Sequence, residues 1–124
     1  LINQFSEKAG YEVEPDEYLD QRLRELAEKL KKRLTSSSKA SGMLEGDGRQ
    51  EKLSITREEF ERMTALYLRE TMNKVDAVLE IAQSKGYQAD EVLLVGGSTR
   101  MPQIKETLEN LRILKFKFLN QMKL

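Results

Sequence analysis

Neither cysteine nor histidine occurs among the 124 residues of this chain. Without cysteine there is no disulfide framework and no thiolate metal site. Without histidine a Ser-His-Asp triad cannot form, and nearly all zinc sites are excluded as well. No apolar run approaches the roughly 20 residues that a membrane helix needs, and no signal peptide is recognisable. We therefore expect a cytoplasmic protein without a metal site in this sequence.

An excess of either charge is lacking too. The 21 basic and 21 acidic residues cancel, so the formal net charge is zero. Proteins that bind nucleic acid or anionic membranes usually carry a basic excess on one face. The balance therefore predicts that neither nucleic acid nor a membrane is a partner. The first residue, Leu1, already lies inside a helical pattern, which suggests a piece of a longer protein.

Two long helices are predicted from the spacing of apolar residues and from signals at their ends. The first runs from about Asp16 to Leu34, because leucine recurs there at every third or fourth position. The second begins at Thr56, which forms a capping box with Glu59, and ends before Gly86. Residues 40–55 lie between the helices and predict two short strands around a glycine turn. The buried face of the second helix is predicted to hold Phe60, Leu68, Met72, Val75, Leu79 and Ala82, widened by Met63, Tyr67 and Val78.

A short apolar run gives the clearest functional signal. Residues 92–95 predict a strand buried on both faces, which runs directly into Gly96 and Gly97. Ser98 and Thr99 follow as candidate caps of the next helix. A strand, a glycine turn and a helix in this order point backbone N–H groups at a ligand, which favours a nucleotide or another anion. The same pattern also fits a tight turn that binds nothing.

A second group of candidates lies on the outer side of the first long helix. Glu28, Lys31 and Thr35 share one face of that helix, at positions i, i+3 and i+7. Such side chains can contact a ligand, but charged residues on a helix exterior more often face only water. From the residues alone, both interpretations stay open.

Four stretches of the sequence carry a family resemblance. They are Leu1-Ile-Asn-Gln-Phe, the helix end Lys31-Lys-Arg-Leu-Thr-Ser-Ser-Ser, the helix start Ile55-Thr-Arg-Glu-Glu-Phe-Glu, and Leu94-Val-Gly-Gly-Ser-Thr-Arg-Met-Pro. In this order they closely resemble the seventy-kilodalton heat-shock chaperones of the DnaK type, within the actin-like ATPase superfamily. Together the matches cover about residues 1–111. The resemblance implies a piece of lobe II of the ATPase domain.

On this resemblance we expect an α+β fold, with two long helices and a small β-hairpin followed by one strand and a helix. Residues 1–90 would form the helical outer subdomain of lobe II, with the hairpin at about 40–55. Residues 91–111 would supply a strand, a glycine turn and a helix of the inner subdomain. Residues 112–124, with four basic residues and no acidic one, depart from the family and form an atypical basic tail.

The resemblance also implies a binding site for ATP or ADP. In that family, hydrogen bonds to ribose and adenine come from the positions that match Glu28, Lys31 and Thr35. The faces of the adenine are covered from the positions that match Lys32 and Arg100. The turn beside the adenosine and the α-phosphate matches Gly96, Gly97 and Ser98. Thr35 stands where the family usually has serine, and Lys32 stands where arginine is common.

The phosphate loops, the magnesium-organising carboxylates and the catalytic lysine of that family have no match in this sequence. We therefore expect no catalytic residue here, although the full-length proteins that the chain resembles are ATPases that use magnesium. The implied partners are a GrpE-type nucleotide exchange factor, which docks on the outer subdomain, and, through the full-length protein, a J-domain co-chaperone and unfolded client peptides. The alternative is a helical protein–protein interaction module without a nucleotide role.

The tail predicts one more contact. Leu114, Phe116 and Phe118 alternate with lysines, which is the periodicity of a strand. Residues 92–95 would leave an open strand edge, with which the tail or a second molecule could pair. We expect self-association through residues 114–118.

Overall fold

The chain combines helices and strands in a computed structural model that describes residues 1–110 and the backbone of residues 116–118. The predicted α+β class is confirmed. The chain divides into two units, Leu1–Phe60 and Glu61–Leu124. The elements are, in order, α1 (Ile2–Ala9), α2 (Glu17–Arg33), β1 (Lys39–Gly46), β2 (Arg49–Thr56), α3 (Arg57–Ser84), β3 (Val92–Leu94), a 3₁₀ helix (Gly97–Arg100), α4 (Pro102–Glu109) and β4 (Phe116–Phe118).

Local signals set the ends of the first two helices. Gly10 ends α1 with a φ of 84°, a left-handed conformation that glycine adopts without steric cost. Asp16 caps α2, because its carboxylate accepts a hydrogen bond from the Leu19 N–H at 2.8 Å. The leucines of α2 point to one side, and Leu19, Leu26 and Leu30 are buried. The predicted amphipathic helix is confirmed.

The hairpin pairs β1 with β2 in antiparallel register. Its turn residues, Asp47 and Gly48, have φ values of 52° and 69°. Positive φ at both central positions of a two-residue loop is the geometry of a type I′ turn, whose twist suits the flanking strands. Each strand has eight residues and extends beyond the short segment that the sequence suggests.

The core of the first unit lies where its two helices meet the hairpin. Leu34, at the end of α2, belongs to this buried cluster. Burying one such side chain contributes about 1.5–3 kcal/mol of stability. The core therefore fixes the end of α2, which precedes Thr35. The four largest fully buried side chains come one from each element, and they are Phe5, Leu30, Leu44 and Leu53.

Both ends of α3 carry the predicted signals. The Thr56 hydroxyl accepts a hydrogen bond from the Glu59 N–H at 3.1 Å, and the Glu59 carboxylate accepts one from the Thr56 N–H at 3.4 Å. This confirms the capping box. At the other end Gly86 has a φ of 83°, and the Tyr87 N–H donates to the Ala82 carbonyl at 2.9 Å. That hydrogen bond closes a Schellman motif around the predicted glycine.

The burial of α3 differs from the prediction. The face that the sequence assigns to the core is only half-buried, and α3 contains no fully buried residue. Met63, Tyr67 and Val78, predicted to widen that face, are exposed. Apolar spacing shows which residues share a helix face, but it does not show whether another element covers that face.

The prediction that residues 92–95 form a strand buried on both faces is wrong. Leu94 is buried, whereas Leu93 and Val95 are about half exposed. Among the described strands, β3 has a single neighbour, β4, which runs parallel to it with Val92 opposite Phe116. A parallel strand is buried on both faces only when a layer of helices covers each face. The strand predicted in the tail is confirmed for residues 116–118, and Leu114 lies outside the described residues.

Within residues 1–110 and 116–118, no helix combines the length and the apolar character needed to span a bilayer.

Candidate functional site

Three of the candidate side chains form a small ion-pair cluster on α2. The Glu28 carboxylate lies 3.4 Å from the Lys31 ammonium and 3.8 Å from the Lys32 ammonium. Their spacing of three and four residues places these groups on one helix face. Lys32 is the most exposed of the three, with 74 % of its side chain accessible. Exposed ion pairs are worth little energetically, so these side chains can exchange partners with a ligand at small cost.

Thr35 lies immediately beyond α2 and is half-buried. Its hydroxyl donates a hydrogen bond to the Lys32 carbonyl at 2.7 Å. That carbonyl belongs to the last turn of the helix, and it also accepts a hydrogen bond from the Thr35 N–H at 3.3 Å. A hydroxyl also has two acceptor lone pairs, so the Thr35 oxygen can still accept a hydrogen bond from a ligand.

The loop after α2 is held by an arginine from the first turn of α3. The Arg57 guanidinium donates to the Leu34 carbonyl at 2.8 Å and to the Ser37 carbonyl at 3.1 Å. The Arg57 backbone N–H donates to the Ser38 carbonyl at 2.8 Å. Arg57 is not among the candidates predicted from the sequence. One signal could have identified it, since a cation at a helix N-terminus opposes its own helix dipole and needs another reason to be there.

The glycine turn opens with Gly96, which has a φ of 99°. The 3₁₀ helix Gly97–Arg100 follows, and the Thr99 hydroxyl donates to the Gly96 carbonyl at 2.6 Å. A β-carbon placed on Gly97 would meet no atom within 4 Å, so the space above its backbone is open. Gly96, Gly97, Ser98 and Arg100 are all exposed. The turn therefore offers accessible backbone and one accessible guanidinium, as a nucleotide site needs.

The helix after the turn begins differently from the prediction. Ser98 and Thr99 do not cap α4, because both lie within the 3₁₀ helix. Met101 occupies the N-cap position and makes no side-chain capping bond, and Pro102 is the first helical residue. Proline suits that position because its missing N–H would have no partner within the helix.

A buried polar contact anchors α4 to α3 within the second unit. Gln103 is 8 % exposed, and its side-chain amide donates to the Thr64 hydroxyl at 3.0 Å. The Gln103 side-chain oxygen has no hydrogen-bond partner among the described residues. Met101, two residues earlier in the sequence, is also buried. These contacts fix the start of α4 and therefore the end of the glycine turn.

The eight candidate residues thus form two groups. Glu28, Lys31, Lys32 and Thr35 belong to the unit Leu1–Phe60. The turn residues belong to the unit Glu61–Leu124, and they are Gly96, Gly97, Ser98 and Arg100.

Outside these two groups, the pKa of one tyrosine, Tyr11, is raised. The Tyr11 hydroxyl donates a hydrogen bond to the Asp47 carboxylate at the hairpin turn. That hydrogen bond is the main cause that raises the pKa of Tyr11, because ionisation would remove the donated proton and place two anions side by side. No group of three or more acidic residues in the described part of the chain is arranged to hold a metal ion.

Comparisons with known proteins match almost the whole chain. The family described as Hsp70 protein matches residues 1–117. A ribosome-associated molecular chaperone of Eremothecium gossypii is 36 % identical over 109 residues, which are 86 % of this chain and 18 % of that relative. Ribosome-associated molecular chaperones of Saccharomyces cerevisiae and Nakaseomyces delphensis are each 35 % identical, with the same shares covered.

The chain belongs to the Hsp70 family, and the resemblance carried by its four motifs is confirmed. It spans 18 % of the length of the curated relatives that it matches.

Proposed function

We propose that this chain supplies the adenosine side of the ATP or ADP site of an Hsp70-type molecular chaperone. The observation that carries the proposal is the glycine turn. It follows a strand, has a positive φ at Gly96, and leaves open space above Gly97. Only glycine lets a ligand approach a backbone so closely, and the exposed Arg100 in the same turn can stack on a base.

The end of α2 would supply the polar contacts. Glu28 and Lys31 can exchange their mutual ion pair for the ribose hydroxyls, because a carboxylate accepts and an ammonium donates hydrogen bonds. The Thr35 oxygen would accept from the base. Lys32, exposed over most of its length, would lie along a face of the adenine.

For the full-length protein we propose the chaperone activity of the family, in which binding and hydrolysis of ATP drive cycles of protein folding. Magnesium, the phosphate loops and the catalytic groups would come from parts of the protein outside these residues. Phosphoryl transfer depends on positioning and charge neutralisation by such groups. We therefore propose that this chain alone does not hydrolyse ATP.

We also propose that residues 1–90 form the docking subdomain for a GrpE-type exchange factor, with the hairpin as part of the surface. The hairpin turn is accessible, and Asp47 and Gly48 are exposed. A J-domain co-chaperone and unfolded client peptides would act on the full-length protein. The similar chaperones are described as ribosome-associated, and an association of this protein with the ribosome is a further proposal.

The nucleotide proposal is tested by an amide NMR titration of the 124-residue chain with millimolar ADP. We expect shifts at the end of α2 and in the glycine turn. Arg100→Ala should weaken binding about tenfold, the order of a desolvated cation–π contact. Gly97→Ala should also weaken binding without affecting the fold, because an added β-carbon meets only the ligand.

Lys105→Ala is the matched control, because it removes an exposed positive charge from α4, close to Arg100 in sequence. It should leave the affinity unchanged. A folded chain in which ADP shifts neither segment would overturn the nucleotide proposal, and membership of the Hsp70 family would stand.

One observation favours the alternative, a helical interaction module. Beside its half-buried face, α3 has a second apolar face, formed by the exposed side chains of Met63, Leu66, Tyr67, Val78 and Ile81. At about 100° per residue these five fall within one third of the helix circumference. The alternative predicts that Arg100→Ala leaves every binding property unchanged, and that charged substitutions at Met63 and Ile81 abolish partner binding.

A further inference from the structure

Arg57 contacts the loop after α2 on both sides of Thr35. The guanidinium donates to the carbonyl of Leu34, the residue before Thr35, and to the carbonyl of Ser37, two residues after it. The Arg57 N–H donates to the carbonyl of Ser38. One residue thus holds three carbonyls of the segment 34–38, which contains Thr35.

These hydrogen bonds are important because they tie the segment to α3, whereas the N–H groups of Thr35, Ser36 and Ser37 donate back to the last turn of α2. The last carbonyls of a helix have no N–H partner within the helix and must bond elsewhere. The Leu34 carbonyl lies at this position, and a guanidinium there also complements the negative end of the α2 dipole. Hydrogen bonds from a charged donor are about twice as strong as neutral ones.

We propose that Arg57 is a positioning residue that holds Thr35 in place for adenine, an inference that rests on the proposed function. Arg57 itself touches no ligand. It fixes the backbone around Thr35, and the hydroxyl of Thr35 then points its proton at the Lys32 carbonyl. With the proton so used, the Thr35 oxygen acts toward a ligand as an acceptor.

That polarity selects between bases. Adenine presents an amino group at C6, which can donate to the Thr35 oxygen, whereas guanine presents a carbonyl oxygen there, which cannot. A fixed Thr35 therefore favours adenine nucleotides over guanine nucleotides. If the segment loses its anchor, the hydroxyl can rotate and donate instead, and the discrimination falls.

Arginine is required at this position and lysine is a poor substitute. The planar guanidinium presents several N–H groups in a fixed fork, so it reaches the Leu34 and Ser37 carbonyls together. A lysine ammonium is a single point of charge on a flexible stem. In Arg57→Lys we therefore expect the ammonium to bond to only one of these two carbonyls at a time.

The experiment compares Arg57→Gln and Arg57→Lys with the unmodified 124-residue chain in NMR titrations with ADP and with GDP. We expect Arg57→Gln to weaken ADP binding about fivefold, as for the loss of one hydrogen bond, while GDP binding stays the same. The ADP affinity of Arg57→Lys should lie between that of Arg57→Gln and that of the unmodified chain. A general loss of stability would weaken the binding of ADP and of GDP equally. The ratio of the two affinities therefore reports whether Thr35 is correctly positioned.

A second measurement needs no nucleotide. The amides of Ser36 and Ser37 both donate to the Arg33 carbonyl, at 3.2 and 3.0 Å. Their hydrogen exchange should accelerate in Arg57→Gln, because the segment opens more often without its anchor. Arg33→Gln is the matched control. It removes another guanidinium from the end of α2, but that group donates to the Ser41 carbonyl of the hairpin at 2.7 Å. It should change neither the exchange of Ser36 and Ser37 nor the ratio of affinities.

The outcomes separate the two proposals. If the unmodified chain binds ADP and Arg57→Gln leaves the ADP-to-GDP ratio unchanged, the role of Arg57 is overturned and the nucleotide site stands. If the unmodified chain binds no ADP, the nucleotide proposal fails and the role of Arg57 falls with it. A lowered ratio in Arg57→Gln together with an unchanged ratio in Arg33→Gln supports the inference.

Discussion

Two glycines of β1 let α2 lie close to the hairpin. A β-carbon built on Gly42 would come within 2.5 Å of a δ-carbon of Leu26, and one built on Gly46 would come equally close to Leu19. Both leucines are buried, so they cannot simply turn away into solvent. The absence of a side chain at these positions is therefore a packing requirement of the first unit. It sets the distance between α2 and the sheet on which the end of α2 rests.

The first prediction concerns Gly42→Ala. We expect a loss of about 1–3 kcal/mol in the free energy of unfolding, because overpacking a core forces side chains off their preferred rotamers. Urea unfolding measures this loss. Gly97→Ala is the control, since its β-carbon meets nothing within 4 Å.

A double variant identifies the cause. In the Leu26→Ala background the clashing δ-carbon is gone, so Gly42→Ala should cost much less than in the unmodified chain. Purely additive costs would show that steric contact with Leu26 is not the reason.

At the scale of elements, α3 shows what local chemistry determines. Its start is set by Thr56 and Glu59 and its end by Gly86, all within a few residues of the boundary that they define. Such signals are independent of the remainder of the fold, and for this reason the sequence predicts them correctly. The type I′ turn at Asp47 and Gly48 is another local signal of this kind.

A second prediction tests the capping box. Thr56→Ala should lower the free energy of unfolding by about 1 kcal/mol, because the start of α3 loses its side-chain cap. Thr56→Ser keeps the hydroxyl and should retain most of the stability. Circular dichroism during thermal unfolding gives the comparison.

Thr71→Ala serves as the control in the same helix. The Thr71 hydroxyl donates to the Tyr67 carbonyl at 2.9 Å, one turn earlier, and it caps nothing. Alanine is the better helix former, so this change should be neutral or slightly stabilising. Equal losses in Thr56→Ala and Thr71→Ala would contradict a specific capping role.

Properties that depend on distant parts of the chain escaped prediction. The apolar spacing of α3 and of residues 92–95 identifies faces, but the exposure of Tyr67 and Leu93 depends on which layers cover them. The candidate site shows the same division. The family motifs point to Thr35 and Arg100, whereas the hydrogen bond from Arg57 to Leu34 joins residues 23 positions apart. The charge at the start of α3 marks Arg57 as unusual, but no local pattern encodes which carbonyls it contacts.

In the part of the chain that the structure describes, the sheet of the second unit has only two strands. A two-stranded sheet is marginally stable by itself, and parallel sheets are normally larger and covered on both faces. Here β3 pairs with β4 alone among the described strands, and Leu93 and Val95 are about half exposed. An open edge with unpaired N–H and C=O groups is a template for another strand. The part of the chain that the structure describes therefore offers a place where a second copy can add a strand.

The last prediction is self-association through residues 114–118. Sedimentation velocity should show a species larger than the monomer that grows with protein concentration. A variant with Phe116→Lys and Phe118→Lys should shift the profile toward the monomer, because charges on an edge strand oppose pairing between sheets. Tyr87→Lys is the matched control, since it also replaces an aromatic residue with lysine but lies outside the sheet and is 71 % exposed. It should associate like the unmodified chain. A strictly monomeric profile of the unmodified chain at high concentration would contradict the prediction. It would show that the sheet of β3 and β4 does not pair with a second molecule.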